Sequence, residues 1–367
     1  MATKNLNVFH VLTLFCFLLV CCANSLNYPA VFNLGDSNSD TGELTAVIGF
    51  RLPYPYGELY FNASLSSGGR FSDGRLIIDF LMGAMNLPFL NPYLDSAGLP
   101  SFRNGCNFAA GGATTHPATA TSVCPFSFGV QELENYLPSE DSFQKGLYVF
   151  DIGQNDLAGA FYSKTPDQIL AFIPTILAQF QLGIQRLYDQ GARNFWIHNT
   201  GPLGCLTQNV ATFGTNTSEL DEHGCVSAHN QAAKTFNLQL HDLSKKLQGQ
   251  YSDANVTYVD IFSIKYDLIA NYSQYGFKQP IMACCGYGGP PLNYNSRVSC
   301  GSTRILNGTS VIAKGCSNSS VYVNWDGIHY TQAANQFVSS KILTGKYSDP
   351  PLSDNISFLS SCETPMW

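Results

Sequence analysis

The chain has 367 residues, 45% of them hydrophobic and only 12% charged, with a net charge of −7. That apolar content is enough for a sizeable core. An acidic balance without any Lys/Arg run speaks against nucleic acid or an anionic membrane surface as partner. Length alone allows two or three domains, although one α/β unit also reaches this size.

Residues 1–25 read as a secretory signal. Lys4 supplies the positive start, Val8 to Cys22 an apolar block too short for a comfortable span, and Ala23-Asn24-Ser25 a small-x-small cleavage site. No later stretch reads as long and apolar enough to cross a bilayer. The expected mature unit is therefore one domain over 26–367, secreted to the extracellular space or apoplast, with the vacuole as the alternative destination.

The first strand is the apolar run Ala30, Val31, Phe32 and Leu34, which breaks at Gly35-Asp36-Ser37. A strand ending in a tight turn that carries a serine is how α/β hydrolases present a nucleophile, with the N–H groups of the next helix start near it. The tripeptide alone is also an ordinary turn. Phe50 to Gly69 has no clean period and reads as a surface loop. Ser72-Asp73 offers an N-cap for a helix with Leu76, Ile77, Phe80, Leu81 and Met85 at helical spacing, ending near Pro88. In Asn104 to Thr114 a short strand runs into Gly111-Gly112, either a plain turn or a backbone N–H aimed at an oxyanion. Leu147 to Ile152 is a stronger strand ending in Gly153-Gln154-Asn155-Asp156; Asn155 there fits an oxyanion donor or a helix N-cap equally.

Helical spacing continues over Thr165 to Gln190, closed by Gly191, and over Asp221 to Gln248. Asn194 to Asn199 and Asn255 to Phe262 read as strands. Strands alternating with helices imply right-handed βαβ units and a parallel sheet covered on both faces, whose ligands bind at the carboxyl ends of the strands. Residues 263–325 read as a disulfide-held loop region, densest in Cys, Gly and Pro near 284–324. An amphipathic helix over Thr331 to Leu343 follows.

Of the 12 cysteines, Cys16, Cys21 and Cys22 fall in the signal. The other nine should mostly pair in an oxidising compartment, leaving at least one over. Sequence proximity suggests Cys106–Cys124, Cys205–Cys225 and internal pairing from Cys284 to Cys316. No C-x₂-C pair suits zinc. Seven sequons, at Asn62, Asn216, Asn255, Asn271, Asn307, Asn318 and Asn355, predict a glycosylated surface.

Among seven histidines, His329 has the best company, because Asp326 lies three residues upstream. An imidazole is the usual base for a serine hydroxyl, and a carboxylate fixes its tautomer. His198 reads as a core or strand-end histidine, while His116, His223, His229 and His241 lack a comparable Asp.

Four blocks now stand in order: F-N-L-G-D-S-N-S-D-T-G (32–42), N-F-A-A-G-G-A-T (107–114), G-Q-N-D (153–156) and D-G-I-H (326–329). With R-F-S-D-G-R (70–75) and G-P-L-G-C (201–205) they resemble the plant GDSL esterase/lipase family of the SGNH hydrolase superfamily. W-I-H-N-T-G-P-L-G-C and C-C-G-Y-G-G-P-P are similar to its early-nodulin-like, acetylesterase-like branch. The resemblance implies a flavodoxin-like three-layer α/β/α sandwich around a five-stranded parallel sheet. It implies Ser37 as nucleophile, His329 as base and Asp326 as its orienter. The oxyanion would be held by the Ser37 N–H, the Gly112 N–H and the Asn155 amide, with Gly111 competing for the Gly112 role. Neither metal nor cofactor is implied. Asn38 departs from the leucine of the family motif at a position that performs no chemistry. The expected function is hydrolysis of short-chain or acetyl carboxylic esters through an acyl-enzyme, by a monomer, on a small-molecule or polysaccharide ester. An acyltransferase with the same acyl-enzyme and a secreted glycoprotein with a vestigial site are the alternatives.

Overall fold

The computed structural model describes residues 26–49, 51–60, 69–95, 101–117 and 140–352. The expected signal segment, the sequons Asn62 and Asn355, and Cys124 and Cys362 lie outside them. The described residues form mixed α/β architecture around a mostly parallel sheet. Strands β1 (Val31–Gly35), β2 (Gly105–Asn107), β3 (Leu147–Asp151), β4 (Asn194–His198) and β5 (Asn255–Val259) run parallel in the order β2-β1-β3-β4-β5. Strands β6 (Thr303–Leu306) and β7 (Thr309–Ile312) make a separate hairpin. A two-residue strand, β8 (Ser348–Asp349), adds an antiparallel edge to β5, so the expected five parallel strands gain a sixth.

Helices α1 (Glu43–Ile48), α2 (Ile77–Ala84), α3 (Glu140–Lys145), α4 (Gln154–Phe161), α5 (Pro166–Asp189), α6 (Thr207–Phe213), α7 (Ser227–Gln250), α8 (Ile261–Ala270) and α9 (Gln332–Ile342) complete the order. The period of two along each strand sorts the core into two layers. Phe32, Leu34, Phe150 and Ile197 share one apolar cluster with Ile173, Ile176 and Phe180 of α5 and Phe236 and Leu240 of α7. Val31, Val149, Trp196 and Val259 share the other with Leu81 of α2, Ile264 of α8 and Val338 of α9.

Several boundaries differ from the sequence reading, each for a local reason. The alternation from Asn255 to Phe262 hides a cap: Asp260 accepts the Ser263 N–H at 3.0 Å and starts α8, which buries Ile261, Ile264 and Leu268. The region from 263 on therefore opens with helix rather than loop. Helix α7 starts at Ser227 rather than Asp221, because Asp221 to Cys225 forms a turn, with the Asp221 carboxylate accepting the His223 and Cys225 N–H groups. Ser72 and Asp73 do not cap α2. Asp73 accepts the Gln332 N–H at 2.6 Å and the Ser72 hydroxyl donates to the Tyr330 carbonyl at 3.0 Å, so the pair ties the start of α9 to the first third of the chain. Helix α5 is, by length and composition, apolar enough to cross a bilayer, contrary to expectation. Its apolar stripe is instead spent on the sheet and α7, and Thr165 and Gln168 close a capping box at its start.

Disulfides join Cys205–Cys225, Cys284–Cys316 and Cys285–Cys300. Cys106 does not pair; it is a free, buried thiol on β2, and burial raises its pKa. Its side chain belongs to the apolar cluster of Phe32, Phe108 and Tyr148. Asn216, Asn255, Asn307 and Asn318 are exposed, whereas Asn271 is half-buried and its amide donates to Asp267 Oδ1 at 2.7 Å.

Candidate active site

Strands β1, β3 and β4 end level with one another: Gly35 lies opposite Asp151, and Asp151 opposite His198. The chain turns sharply here. The Asp36 N–H donates to the Asp151 carbonyl at 3.2 Å, and the Ser39 N–H to the Asp36 carbonyl at 3.1 Å. Any Cβ at position 35 would lie 2.7 Å from the Asp151 carbonyl oxygen, so only glycine lets the strand end this close to its neighbour. Ser37, two residues beyond β1, is 6% exposed.

The residues Asp326 and His329 come from a loop just before α9, far away in sequence, and His329 meets Ser37 directly. His329 Nε2 lies 2.8 Å from Ser37 Oγ, and Nδ1 lies 2.7 Å from Asp326 Oδ2. With Nδ1–H donating to the carboxylate, Nε2 is left as an acceptor for the serine hydroxyl. Asp326 Oδ1 accepts the N–H groups of Ile328 and His329, both at 2.9 Å, and Oδ2 also accepts the Tyr56 hydroxyl at 2.7 Å. Burial alone would raise the Asp326 pKa. The charge of His329 and hydrogen bonds from His329 and Tyr56 outweigh it and hold the carboxyl down at about 2. Phe71 packs on the imidazole, ring centroids 5.1 Å apart.

The three oxyanion candidates gather at the same strand ends. Among the described residues the N–H groups of Ser37 and Gly112 meet no acceptor. Gly111 is spoken for, since its N–H donates to Asp40 Oδ2 at 2.7 Å. Gly112 adopts a φ of 79°, the left-handed region that glycine tolerates. Asn155, at the start of α4, donates one amide hydrogen to the Ala113 carbonyl at 2.9 Å and keeps a second. The site can thus present two undonated N–H groups and one amide hydrogen beside the Ser37 hydroxyl.

Sequence reasoning gave no role to the polar residues that hold these turns together. Asp40 accepts N–H groups from Gly42, Glu43 and Leu44 as well as Gly111. Asn107 receives the Asn33 amide at 2.7 Å and donates to the Ser39 carbonyl at 2.7 Å. Asp156 accepts the Thr115 and His116 N–H groups at 2.7 and 2.9 Å. All three lie inside the recognised blocks, which was the available signal. Asn38 also has work: its amide donates to Asp36 Oδ1 at 2.9 Å and to Gln154 Oε1 at 3.3 Å, joining the serine turn to α4.

Below the turn lie buried ionisable groups. Burial, reinforced by Asp151, raises Asp36 to about 7; burial lowers Lys265, against the pull of Asp151 and Asp36. His198 is 3% exposed, meets no hydrogen-bond partner among the described residues, and is brought down to about 4 by burial, so it is a neutral core histidine. A cavity of about 510 Å³ between Thr41, Arg70 and Asn91 includes none of Ser37, Asp326 and His329, and the proton-transfer geometry lies apart from it.

A model of the GDSL-like Lipase/Acylhydrolase family matches residues 31–342, a span that encloses every residue of the site. One GDSL esterase/lipase of Arabidopsis thaliana is 56% identical, covering 98% of this chain and 98% of its own. A second from the same plant is 60% identical over 90% of this chain and 92% of its own. The GDSL esterase/lipase ENOD8 of Medicago truncatula is 43% identical over 89% of each. Similarity of this extent, over nearly the whole of both chains, places the protein in the GDSL-like lipase/acylhydrolase family, as a carboxylic ester hydrolase.

Proposed function

We propose that Ser37 is the nucleophile, His329 the general base and Asp326 its orienter, in a secreted esterase that works through an acyl-enzyme. The observation that carries this reading is the unbroken hydrogen-bond chain from Asp326 Oδ2 through the His329 ring to Ser37 Oγ. As Oγ bonds to the ester carbonyl carbon, its proton passes to Nε2. The carbonyl oxygen becomes an oxyanion and accepts from the Ser37 and Gly112 N–H groups and the Asn155 amide. The C–O bond to the alcohol then breaks and the alcohol leaves with the proton from Nε2. Water then adds to the acyl carbon and gives a proton to Nε2; the C–Oγ bond breaks, Ser37 Oγ takes that proton back, and the acid leaves. Asp326, ionised because its pKa is held near 2, stabilises the imidazolium in both halves.

The substrate is a short-chain or acetyl ester on a small molecule or a glycosylated or polysaccharide chain, a reading supported by aromatic side chains beside the site, Phe71 against His329 and Tyr294 against Gly327. The mature protein, 26–367 after signal removal, is one monomeric domain that carries N-glycans and leaves the cell for the apoplast, with the vacuole as the alternative. The exposed sequons and the three disulfides suit that route. The test is intact-mass analysis after rapid mixing with p-nitrophenyl acetate. A transient acetyl adduct on the wild type, absent from Ser37→Ala, is the expected result; hydrolysis by Ser37→Ala at the wild-type rate rejects the assignment.

A further inference from the structure

We propose that Tyr56 is a positioning residue of this chain: its phenol holds Asp326 and draws charge from the oxygen that faces His329, and the segment closed by Cys284–Cys316 and Cys285–Cys300 keeps it there. The inference rests on the reading of Ser37, His329 and Asp326 given above. Asp326 Oδ2 has two donors at the same distance of 2.7 Å, His329 Nδ1 and the Tyr56 hydroxyl. With two backbone N–H groups on Oδ1, all four acceptor positions of the carboxylate are filled. A carboxylate so filled cannot turn without breaking a charge-assisted bond. Burial and the adjacent carboxylate push the Tyr56 phenol well above its usual pKa, so it stays a donor.

The tyrosine is held from three sides. Its ring lies edge-on to Phe71 and Trp325, with centroids 6.3 and 6.1 Å away. Its backbone is fixed by Tyr56 N–H to the Pro53 carbonyl at 3.1 Å and Gly57 N–H to the Ser72 carbonyl at 2.8 Å. The disulfide segment closes the third side: a Cβ on Gly301 would come within 3.0 Å of Pro53, and one on Gly315 within 3.1 Å of Pro55. The same segment grips the loop of Asp326, since the Cys284 N–H donates to the Asn324 carbonyl at 3.1 Å and the Cys285 N–H to the Trp325 carbonyl at 2.6 Å. Cys284, Cys285, Cys300 and Trp325 form one small core against which Tyr56 packs. Donor and acceptor are therefore referenced to one rigid, cross-linked piece.

Loss of the hydroxyl has two consequences that a purely structural role does not share. The carboxylate is less well fixed, so kcat falls about tenfold with little change in KM, because Tyr56 is not placed against substrate. Negative charge also concentrates on Oδ2, so His329 becomes more basic and the acid limb of kcat/KM moves to higher pH. The experiment measures kcat, KM and the acid limb for wild type and Tyr56→Phe with p-nitrophenyl acetate. A second variant carries at position 56 a tyrosine fluorinated ortho to its hydroxyl, a stronger donor of nearly the same shape. Its acid limb should move to lower pH, a reversal of sign that keeps the test open if Tyr56→Phe does not fold. A lowered kcat with an unmoved limb overturns the inference, as does a fluorinated variant whose limb stays put or moves up. Labelling of wild-type Ser37 by a fluorophosphonate separates the two levels. Labelled enzyme with Tyr56→Phe kinetics like wild type removes Tyr56 alone; unlabelled, inactive wild type removes the whole chain.

Discussion

The two sides of the site meet at 2.8 Å but are delivered by unlike parts of the molecule. Ser37 stands two residues past β1, a strand whose five residues are all buried and which pairs on both edges. Its position follows from the sheet. Asp326 and His329 stand on a loop whose backbone is bonded to Cys284 and Cys285, to Ser72 through Tyr330 and to Asp73 through Gln332. Their position follows from cross-links and from contacts across some 260 residues of chain. The difference teaches that the nucleophile side should fail only with global unfolding, whereas the acid–base side can be loosened while the sheet stands.

The comparison can be pressed hardest at Asp326. Asp326→Asn keeps the shape but turns an acceptor of four donors into a group with its own N–H, so kcat/KM should drop by about 10³–10⁴-fold while the thermal midpoint moves little by comparison. An activity near wild type would remove Asp326 as the group that orients His329. Next in size is a matched pair. Phe32→Ala in β1 should cost about 3–5 kcal/mol, with far-UV ellipticity and esterase activity lost at one denaturant concentration. Replacing Cys285 and Cys300 by alanine removes a loop closure of separation 15, worth about 3 kcal/mol in the chain-entropy account. In that variant activity should vanish at lower urea than the ellipticity of the sheet; coincident loss in both variants would erase the distinction drawn here.

A smaller effect concerns pH. The Asp326 pKa is depressed from 3.8 to about 2, so its contribution is fully present above the unfolded value and is lost as pH falls through about 2. That contribution is about 2 kcal/mol. The stability gap between wild type and Asp326→Asn should therefore shrink as the pH falls below about 4, measured by urea unfolding at a series of pH values. Smallest is Asn38→Leu, which restores the family motif but removes the amide bonds to Asp36 and Gln154; it should cost about 1 kcal/mol and change kcat less than about threefold.

The same asymmetry governs what could be read from the sequence. The serine turn, the Gly-Gly turn and the Asp326–His329 spacing are local patterns, and each lands at the site. That the Gly111 N–H is taken was not legible, because its acceptor is Asp40, 71 positions away. Tyr56 was not legible either. It sits in a Pro-rich aromatic stretch without period, and its partner lies 270 residues on. Asp260 looked like one more alternating strand residue because it follows β5 directly, and the spacing does not show its side chain accepting the Ser263 N–H. Cys106 was paired by proximity alone, a rule that ignores burial, and the core claimed its side chain.

The most direct measurement is the intact mass of the purified protein and of Ser37→Ala after treatment with a fluorophosphonate. One adduct on the wild type and none on the variant is the predicted result, since only a serine whose proton His329 can accept reacts. A folded wild type that takes no adduct, or a Ser37→Ala variant that still takes one, contradicts the account.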